Sequence, residues 1–267
     1  VFVRLTACNL RCSYCDTAYA FTEGKKRELA EVITEVKRLA APFRNNPLSL
    51  SLAPGFSPVS TRVQVKAVST ASRSGQTAEA VEIHPASITG LKPGANQNSL
   101  PLVELTGGEP LLQKNALPLM QQLCDDGFTV LIETSGALDI ASVDARVRRI
   151  MDLKCPSSGE VERNRVENIP LLKATDEIKF VIGTVEDYEW AKLQIATHKL
   201  DAICPLLMSW VHPLRPEQQD KSLKRVPAGQ TPIARQALVE RIIADALPVR
   251  FQAQLHKIIW PPEERGV

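Results

Sequence analysis

The stretch VFVRLTACNLRCSYCD, residues 1–16, guides the interpretation of everything that follows it. Its opening residues predict a short β-strand, which leads directly into a loop that carries Cys8, Cys12 and Cys15. Thiolates are soft ligands that suit zinc or iron–sulfur clusters. Because the loop supplies three ligands rather than four, it favours a catalytic metal site, in which one coordination position stays open.

Outward from this loop, predicted strands alternate with predicted helices. The strands are predicted within VFVRLT, PLVELTGGEP, TVLIETSG, RIMDLKCP, DEIKFVIG and DAICPLLMSW. The helices are predicted within ELAEVITEVKRLA, NALPLMQQLCDDG, the stretch between TVLIETSG and RIMDLKCP, VEDYEWAKLQIATHKL and PIARQALVERIIADAL. This alternation predicts an α/β fold in which βα units surround a parallel sheet of about six strands. A complete eight-stranded barrel would need more strands, so we expect an incomplete (β/α) barrel or an open sheet.

Polar or glycine-rich loops follow several of the predicted strands. They are CNLRCSYCD, TGGEP, ETSG, DLKCPSS and LLMSW. Ligands bind at the carboxyl ends of strands in barrels and in open parallel sheets. We therefore expect these loops to share one face of the molecule and to form one site there.

Residues 42–101 differ from the rest of the chain. They are rich in proline, serine, glycine and asparagine, they carry few charges, and no hydrophobic period persists in them. An irregular segment of this length is uncommon inside a compact domain. We expect a single domain over residues 1–267 with a disordered or loosely packed insertion over 42–101.

Composition excludes several classes of protein. The chain has 267 residues, 44% of them hydrophobic, which suffices for one substantial core. No apolar run is long enough to span a membrane, and a net charge of +2 without a basic stripe does not indicate nucleic-acid binding. Six cysteines, three of them close together, favour metal binding in a reducing compartment, so we expect a cytoplasmic protein. Structural zinc remains an alternative, although no second cysteine pair is present to close such a site.

The spacing of Cys8, Cys12 and Cys15 resembles the CxxxCxxC signature of the radical S-adenosylmethionine (SAM) superfamily, and LTGGEP, residues 105–110, resembles its GGEP motif. The resemblance implies a [4Fe–4S] cluster whose open iron binds SAM and whose electron cleaves it, leaving a radical that abstracts hydrogen. In the superfamily GGEP lies beside the SAM amino group. There glycine lets the backbone approach a ligand, and Glu109 would place a carboxylate near the ammonium. By itself, the glycine pair would be interpreted as an ordinary strand-to-helix turn with Pro110 starting the helix.

Longer segments resemble the 7-carboxy-7-deazaguanine synthase family in the expected order. They are FVRLTACNLRCSYCDTAYAF, ELTGGEPLLQ, IETSG, MDLKCPSSG and VRFQAQLHKIIW. The family is a group of carbon–nitrogen lyases that convert 6-carboxy-5,6,7,8-tetrahydropterin to 7-carboxy-7-deazaguanine with loss of ammonia, on the route to queuosine. The resemblance implies SAM as a regenerated cofactor, a role for Mg²⁺, a homodimer, and an electron donor such as flavodoxin or ferredoxin.

Residue roles follow from the matched motifs. The resemblance implies that the cluster is held by Cys8, Cys12 and Cys15, and that Mg²⁺ binds Thr17. It implies SAM contacts at Tyr14, Cys15, Asp16, Gly108, Cys155, Pro156 and Ser157, and substrate contacts at Arg4 and Thr106. A guanidinium at Arg4 could grip the pterin carboxylate in a bidentate manner. Without the resemblance, Thr17 would be interpreted as a capping or turn hydroxyl and Arg4 as a solvated charge at a strand end.

Two departures from the family and two alternatives remain at this point. Ala7 stands where the family often has glycine, and the family's substrate-contacting glutamine–glycine–glutamate segment does not occur in this sequence. The chain starts at Val1, so we expect a segment to precede it. One alternative function is an activase that installs a glycyl radical on a partner protein. The other is a non-catalytic iron–sulfur or zinc module.

Overall fold

The computed structural model describes residues 1–44, 100–215 and 219–261. Within them the strands are β1 Phe2–Leu5, β2 Leu100–Gly107, β3 Phe128–Thr134, β4 Arg148–Leu153, β5 Glu177–Ile182, β6 Leu206–Trp210 and β7 Val249–Gln252. The α-helices are α1 Leu29–Arg44, α2 Ala116–Asp125, α3 Val185–His198, α4 Arg235–Ala244 and α5 His256–Ile259. Short 3₁₀ turns lie at Ala18–Phe21, Pro110–Leu112, Pro156–Ser158, Val161–Arg163, Val166–Leu171 and Leu200–Ala202.

The predicted insertion at 42–101 falls mostly outside the described residues. Its ends belong to regular elements, because α1 continues through residue 44 and β2 begins at residue 100. In the described ranges, no helix is long and apolar enough to cross a membrane.

All seven strands form one parallel sheet in sequence order, from β1 to β7. The sheet is open: in the described part of the chain, β1 and β7 pair with β2 and β6 but not with each other. The α/β prediction of an incomplete barrel is therefore confirmed, with seven strands rather than about six. The additional strand is β7, whose four residues alternate between half-buried and exposed and give too short a pattern to be recognised in the sequence.

The helices cover one face of the sheet, and charged and hydroxyl side chains of the central strands lie on the other face among apolar ones. Burial alternates residue by residue along β3, whose side chains Val130 and Ile132 pack into the core with Leu119 and Leu123 of α2. Alternation of this kind means that successive side chains point to opposite faces. The intervening residues of β2 to β5 therefore point to the face without helices, which is where the candidate site lies.

The prediction of a helix between β3 and β4 is wrong. Residues 135–147 form turns, in which the carboxylates of Asp139 and Asp144 accept the backbone N–H groups of Ala141 and Arg146, both at 2.8–2.9 Å. Aspartate side chains that bond to the backbone two residues ahead compete with helix formation. The sequence LDIASVDARV, residues 138–147, has enough apolar residues for a helix, but its two aspartates stabilise the turns instead.

Candidate cluster and substrate site

The cysteine loop follows β1 and is anchored by its own residues. Leu10 is 1% exposed and fixes the middle of the loop in the interior. The Arg11 guanidinium donates hydrogen bonds to the backbone carbonyls of Cys8 at 2.8 Å and Leu10 at 2.7 Å. The same guanidinium stacks 4.1 Å from the centre of the Phe21 ring. These contacts hold the segment between the first two cysteines in a compact turn.

A second loop, residues 155–160, supports the cysteine loop from the carboxyl end of β4. Ser13 donates its backbone N–H to the carbonyl of Ser158 at 3.1 Å and its hydroxyl to the carbonyl of Ser157 at 2.6 Å. Ser157 in turn donates its backbone N–H and its hydroxyl to the fully buried carboxylate of Asp187 in α3. The position of the cysteines therefore depends on an acceptor in a helix that is distant in sequence.

Gly107 and Gly108 end β2 where it touches the cysteine loop. A Cβ on Gly107, whose φ is +121°, would lie 2.1 Å from the carbonyl oxygen of Leu5, and a Cβ on Gly108 would lie 1.9 Å from that of Ala7. Both carbonyls accept backbone hydrogen bonds here, from Gly108 at 2.9 Å and Glu109 at 2.8 Å. The glycines therefore allow close approach of the cysteine loop's own backbone, in addition to the ligand contact that the sequence suggested.

Ala7 occupies a backbone conformation that favours glycine. Its φ is +64°, in the left-handed region, where an L-residue costs roughly 1–2 kcal/mol. A glycine would adopt this conformation without strain, so the alanine noted in the sequence carries a conformational cost that glycine would avoid. The surrounding hydrogen bonds, including Ala7 N–H to the Ala20 carbonyl at 2.8 Å, hold the alanine there.

Glu109 has internal partners for both of its carboxylate oxygens. It is fully buried and accepts hydrogen bonds from the backbone of Leu111, the hydroxyl of Thr134, and both the backbone and the hydroxyl of Ser135. These bonds join the end of β2 to the end of β3. The Glu109 carboxylate therefore joins the ends of two strands, and the contact with the SAM ammonium that the resemblance implies stays a prediction.

The thiols of Cys8, Cys12 and Cys15 form no disulfide, and burial and neighbouring loop thiols together raise the pKa of Cys12 and of Cys15. Burial raises the pKa of Cys12 to about 11, the Lys154 ammonium opposes the rise, and the neighbouring Cys15 and Cys8 add to it. Burial also raises the pKa of Cys8 and of Cys15. Among the described residues, no group of three histidine, cysteine or acidic side chains is arranged to hold a single metal ion. In an iron–sulfur cluster the thiolates bind the irons of the cluster rather than one shared ion.

Unpaired polar atoms on the same loop fit a cofactor. In the described residues, both polar side-chain atoms of Asn9 and the hydroxyl of Tyr14 are buried without a hydrogen-bond partner. Buried polar groups in proteins are nearly always bonded, so these atoms call for a ligand that brings polar atoms to the loop. Together with three soft sulfur donors, they are compatible with an iron–sulfur cluster and a polar cofactor beside it.

Asp16 and Thr17 directly follow the third cysteine and are predicted to contact SAM and Mg²⁺, respectively. Their side chains have different surroundings. Thr17 lies at the start of the turn Ala18–Phe21 but makes no capping hydrogen bond; its hydroxyl lies 3.7 Å from the sulfur of Cys15. Asp16 pairs with Lys257 at 2.6 Å and accepts from Gln254 at 3.3 Å. The capping alternative for Thr17 therefore finds no support, and Asp16 connects the loop to the last described segment of the chain.

Cys155, Pro156 and Ser157 lie beside the cysteine loop, but two of their side chains are committed elsewhere. The Cys155 thiol is fully buried in the core and points to the Leu153 carbonyl at 3.7 Å, and the Ser157 hydroxyl is bonded to Asp187. Pro156 begins the 3₁₀ turn Pro156–Ser158. In this arrangement a SAM contact by Cys155 or Ser157 would fall on their backbone atoms.

The two residues predicted to bind substrate lie next to each other. Arg4 of β1 and Thr106 of β2 are paired in the parallel register, so their side chains share one face of the sheet. Thr106 donates its hydroxyl to the carboxylate of Glu133 in β3 at 2.8 Å. The structure thus brings the predicted pair together and extends it by a carboxylate that the sequence did not single out.

A row of alternating charges continues across the same face. The Lys179 ammonium lies 2.9 Å from Glu133 and 3.3 Å from Asp152, and the Lys154 ammonium lies 2.7 Å from Asp152. Burial opposes the charge of Lys179, but Asp152 and Glu133 outweigh it and hold the lysine pKa above its ordinary value. The signal for Glu133, Asp152 and Lys179 was present in the sequence, because each charge alternates with buried residues along its strand, but alternation alone does not distinguish a site from a solvated face.

Glu104 carries a testable pH dependence. Burial, reinforced by Glu133, raises its pKa from an ordinary 4.5 to about 7. Because the folded state holds this proton more tightly than the unfolded state, ionisation of Glu104 lowers the stability of the fold as pH rises from about 4.5 to about 7. We expect Glu104→Gln to gain stability relative to the unsubstituted protein between pH 5 and pH 8, measured by urea unfolding. A stability difference that does not vary with pH would contradict this assignment.

Similar proteins were sought by sequence and by fold. No family model matches the chain. The 7-carboxy-7-deazaguanine synthase of Koribacter versatilis (strain Ellin345) is 35% identical over 269 residues, covering 100% of this chain and 91% of the relative. The enzyme of the same name from Chlorobaculum tepidum is 32% identical over 269 residues, covering 100% of this chain and 87% of the relative. In fold, the crystal structure of Streptococcus suis SuiB bound to S-adenosylmethionine matches with a TM-score of 0.51 at 12% identity, over 95% of this chain and 49% of that one.

An open parallel sheet whose first strand runs into a three-cysteine loop is the arrangement of a radical SAM enzyme, and the fold and the site define that class here. The sequence identity to the two relatives extends over the full chain and assigns the protein to one family within this class. The chain belongs to the 7-carboxy-7-deazaguanine synthase family. Membership brings SAM and a [4Fe–4S] cluster as cofactors and a small molecule as substrate.

Proposed function

We propose that the protein is a radical SAM lyase that converts 6-carboxy-5,6,7,8-tetrahydropterin to 7-carboxy-7-deazaguanine with release of ammonia. The observation that carries this proposal is the 35% identity to a synthase of that name across the entire chain. The activase and the non-catalytic module have no comparable support.

The cysteine loop would hold the cofactors. Cys8, Cys12 and Cys15 would bind three irons of the cluster, and the bound cofactors would supply the electron transfer and the radical that start the reaction. The Tyr14 hydroxyl, buried and unpaired, is available to a cofactor atom, as are the polar atoms of Asn9. The backbone around Gly108 and the loop at Cys155, Pro156 and Ser157 would form the remaining walls of the SAM site.

The open sheet face would orient the substrate. Arg4 presents a guanidinium at the strand end, suited to a carboxylate in bidentate geometry. Thr106, its neighbour in the register, would place a hydroxyl on the same face, held by Glu133. The buried charges of Lys179 and Asp152 compensate each other, so they would present fixed dipoles rather than a net charge to a neutral pterin ring.

Further partners belong to the same proposal. Thr17 would supply a hydroxyl oxygen to Mg²⁺, a hard cation that keeps several ligands from water and substrate. An electron donor such as flavodoxin or ferredoxin would reduce the cluster. We also propose that the protein works in the cytoplasm as a homodimer.

The test is an anaerobic reconstitution with iron and sulfide, followed by incubation with SAM, Mg²⁺, a reductant and the carboxytetrahydropterin. We expect 7-carboxy-7-deazaguanine by mass spectrometry, in amounts that exceed the SAM consumed, because SAM is regenerated. Failure to form it with an intact cluster would overturn the proposal. Stoichiometric consumption of SAM without conversion of the pterin would favour the activase alternative.

A further inference from the structure

The backbone of Arg11, the residue directly before Cys12, is held on both sides by residues outside the cysteine loop. Its N–H donates to the Glu160 carboxylate at 2.7 Å, and its carbonyl accepts from the backbone N–H of Lys224 at 2.8 Å. Neither Glu160 nor Lys224 matches any motif that the sequence singled out. They arrive from the loops that follow β4 and β6.

Glu160 and Lys224 also bind each other, which closes the contacts into a ring. The Lys224 ammonium lies 2.9 Å from the second carboxylate oxygen of Glu160 and donates to the Gly159 carbonyl at 2.6 Å. Glu160 is only 5% exposed, whereas the lysine side chain is 48% exposed. A buried carboxylate needs partners of this kind, because an unpaired charge in the interior is strongly unfavourable.

The stem of Lys224 is fitted to its place. It crosses Gly159, whose φ is +72°, and a Cβ on that glycine would lie 3.0 Å from Cδ of the lysine. The lysine is therefore seated by its stem, its backbone N–H and its ammonium together. Such a combination fixes Lys224 more firmly than a solvated ion pair, whose contribution is typically below 1 kcal/mol.

We propose that Glu160 and Lys224 are positioning residues that clamp the cysteine loop at Arg11 and thereby set how firmly the cluster is held. The proposal rests on the proposed role of Cys8, Cys12 and Cys15 as cluster ligands. Glu160 bonds to the backbone of the residue directly before Cys12, so its loss would free the peptide that orients that thiolate. Lys224 acts through Glu160 and through the Arg11 carbonyl, from a loop that otherwise lies on the surface.

The test compares Glu160→Gln and Lys224→Met with Lys224→Arg and with Lys37→Met. Lys37 forms an ion pair with Asp126 at the same 2.9 Å and is similarly exposed, but it lies on α1, so it controls for loss of any surface ion pair. Two readouts are used on the full chain. The first is hydrogen exchange of the amides of residues 8–15 in the protein without metal, and the second is the rate at which the reconstituted cluster loses iron to a chelator under anaerobic conditions.

We expect the amides of residues 8–15 to exchange faster, and the cluster to lose iron faster, in both Glu160→Gln and Lys224→Met. In Glu160→Gln both rates should rise about tenfold, which is the scale of a lost charge-assisted hydrogen bond. Lys224→Arg should restore slow exchange, and Lys37→Met should match the unsubstituted protein. Unchanged exchange in both Glu160→Gln and Lys224→Met would overturn the clamp. If the unsubstituted protein takes up no iron on reconstitution while the two variants still exchange faster, the clamp would stand and the proposed function would fail. The two failures are therefore distinguishable.

Discussion

Replacing Cys12 with alanine is expected to reduce iron in the reconstituted protein to about a tenth or less and to abolish catalysis, because metal affinity depends on the full set of deprotonated ligands. Cys12 is the most buried of the three loop cysteines, at 8% exposed, and lies between the two others in the sequence. Two remaining thiolates would leave two irons open instead of one. The measurement is iron and sulfide content, together with the visible absorbance of the cluster.

Cys124→Ala is the matched control for this prediction. Its thiol is also free and partly buried, but it lies on α2, away from the carboxyl edge of the sheet. We expect this variant to keep its cluster and its activity. A Cys12→Ala protein that retained a full cluster would show that the ligand set is wrong, and would direct attention to Cys155 beside the cysteine loop.

Gly108→Ala is expected to destabilise the fold by about 3 kcal/mol or more and to prevent cluster binding. The added methyl group would lie 1.9 Å from the carbonyl oxygen of Ala7, a backbone atom that cannot move without displacing the residue next to Cys8. The clash therefore acts on the cysteine loop as well as on stability. Urea unfolding gives the stability change, and iron content after reconstitution gives the effect on the loop.

Gly229→Ala separates this clash from ordinary backbone strain. Gly229 has a φ of +82°, which disfavours alanine, but nothing lies within 4 Å of the position its Cβ would take. We expect it to cost roughly 1–2 kcal/mol and to leave the cluster intact. Equal losses of iron in the two glycine variants would argue against a specific contact between Gly108 and the cysteine loop.

The sequence predicted the parts of the fold that depend on local patterns. Apolar periodicity identified α1 to α4, and the motifs at strand ends predicted one shared edge for the cysteine loop, TGGEP and KCPSS. The failure at residues 135–147 was also local, since the bonds of Asp139 and Asp144 to nearby backbone groups outweigh a weak helical pattern.

The sequence could not predict how the candidate site is supported, because that depends on contacts between distant segments. The Glu109 carboxylate accepts hydrogen bonds from Thr134 and Ser135, and the Glu160 carboxylate accepts one from the backbone of Arg11. These bonds connect positions that share no sequence motif. From the sequence, Gly107 and Gly108 could be interpreted as a turn that faces a ligand. The structure shows a steric reason for glycine at both positions, because backbone carbonyls of β1 and of the cysteine loop lie too close to accommodate a Cβ. Side-chain identity limits such contacts, but only the three-dimensional fold selects among them.

The contacts of the cysteine loop also determine when it can be completed during synthesis. The loop precedes its distant partners in the sequence: Asp16 bonds to Gln254, 238 residues later, and Arg11 bonds to Lys224. A ribosome releases the amino-terminal segment first, and non-local contacts must wait for their partners. The three cysteines therefore emerge long before the residues that fix their loop, so the loop can reach its final position only after β7 and Gln254 have been translated.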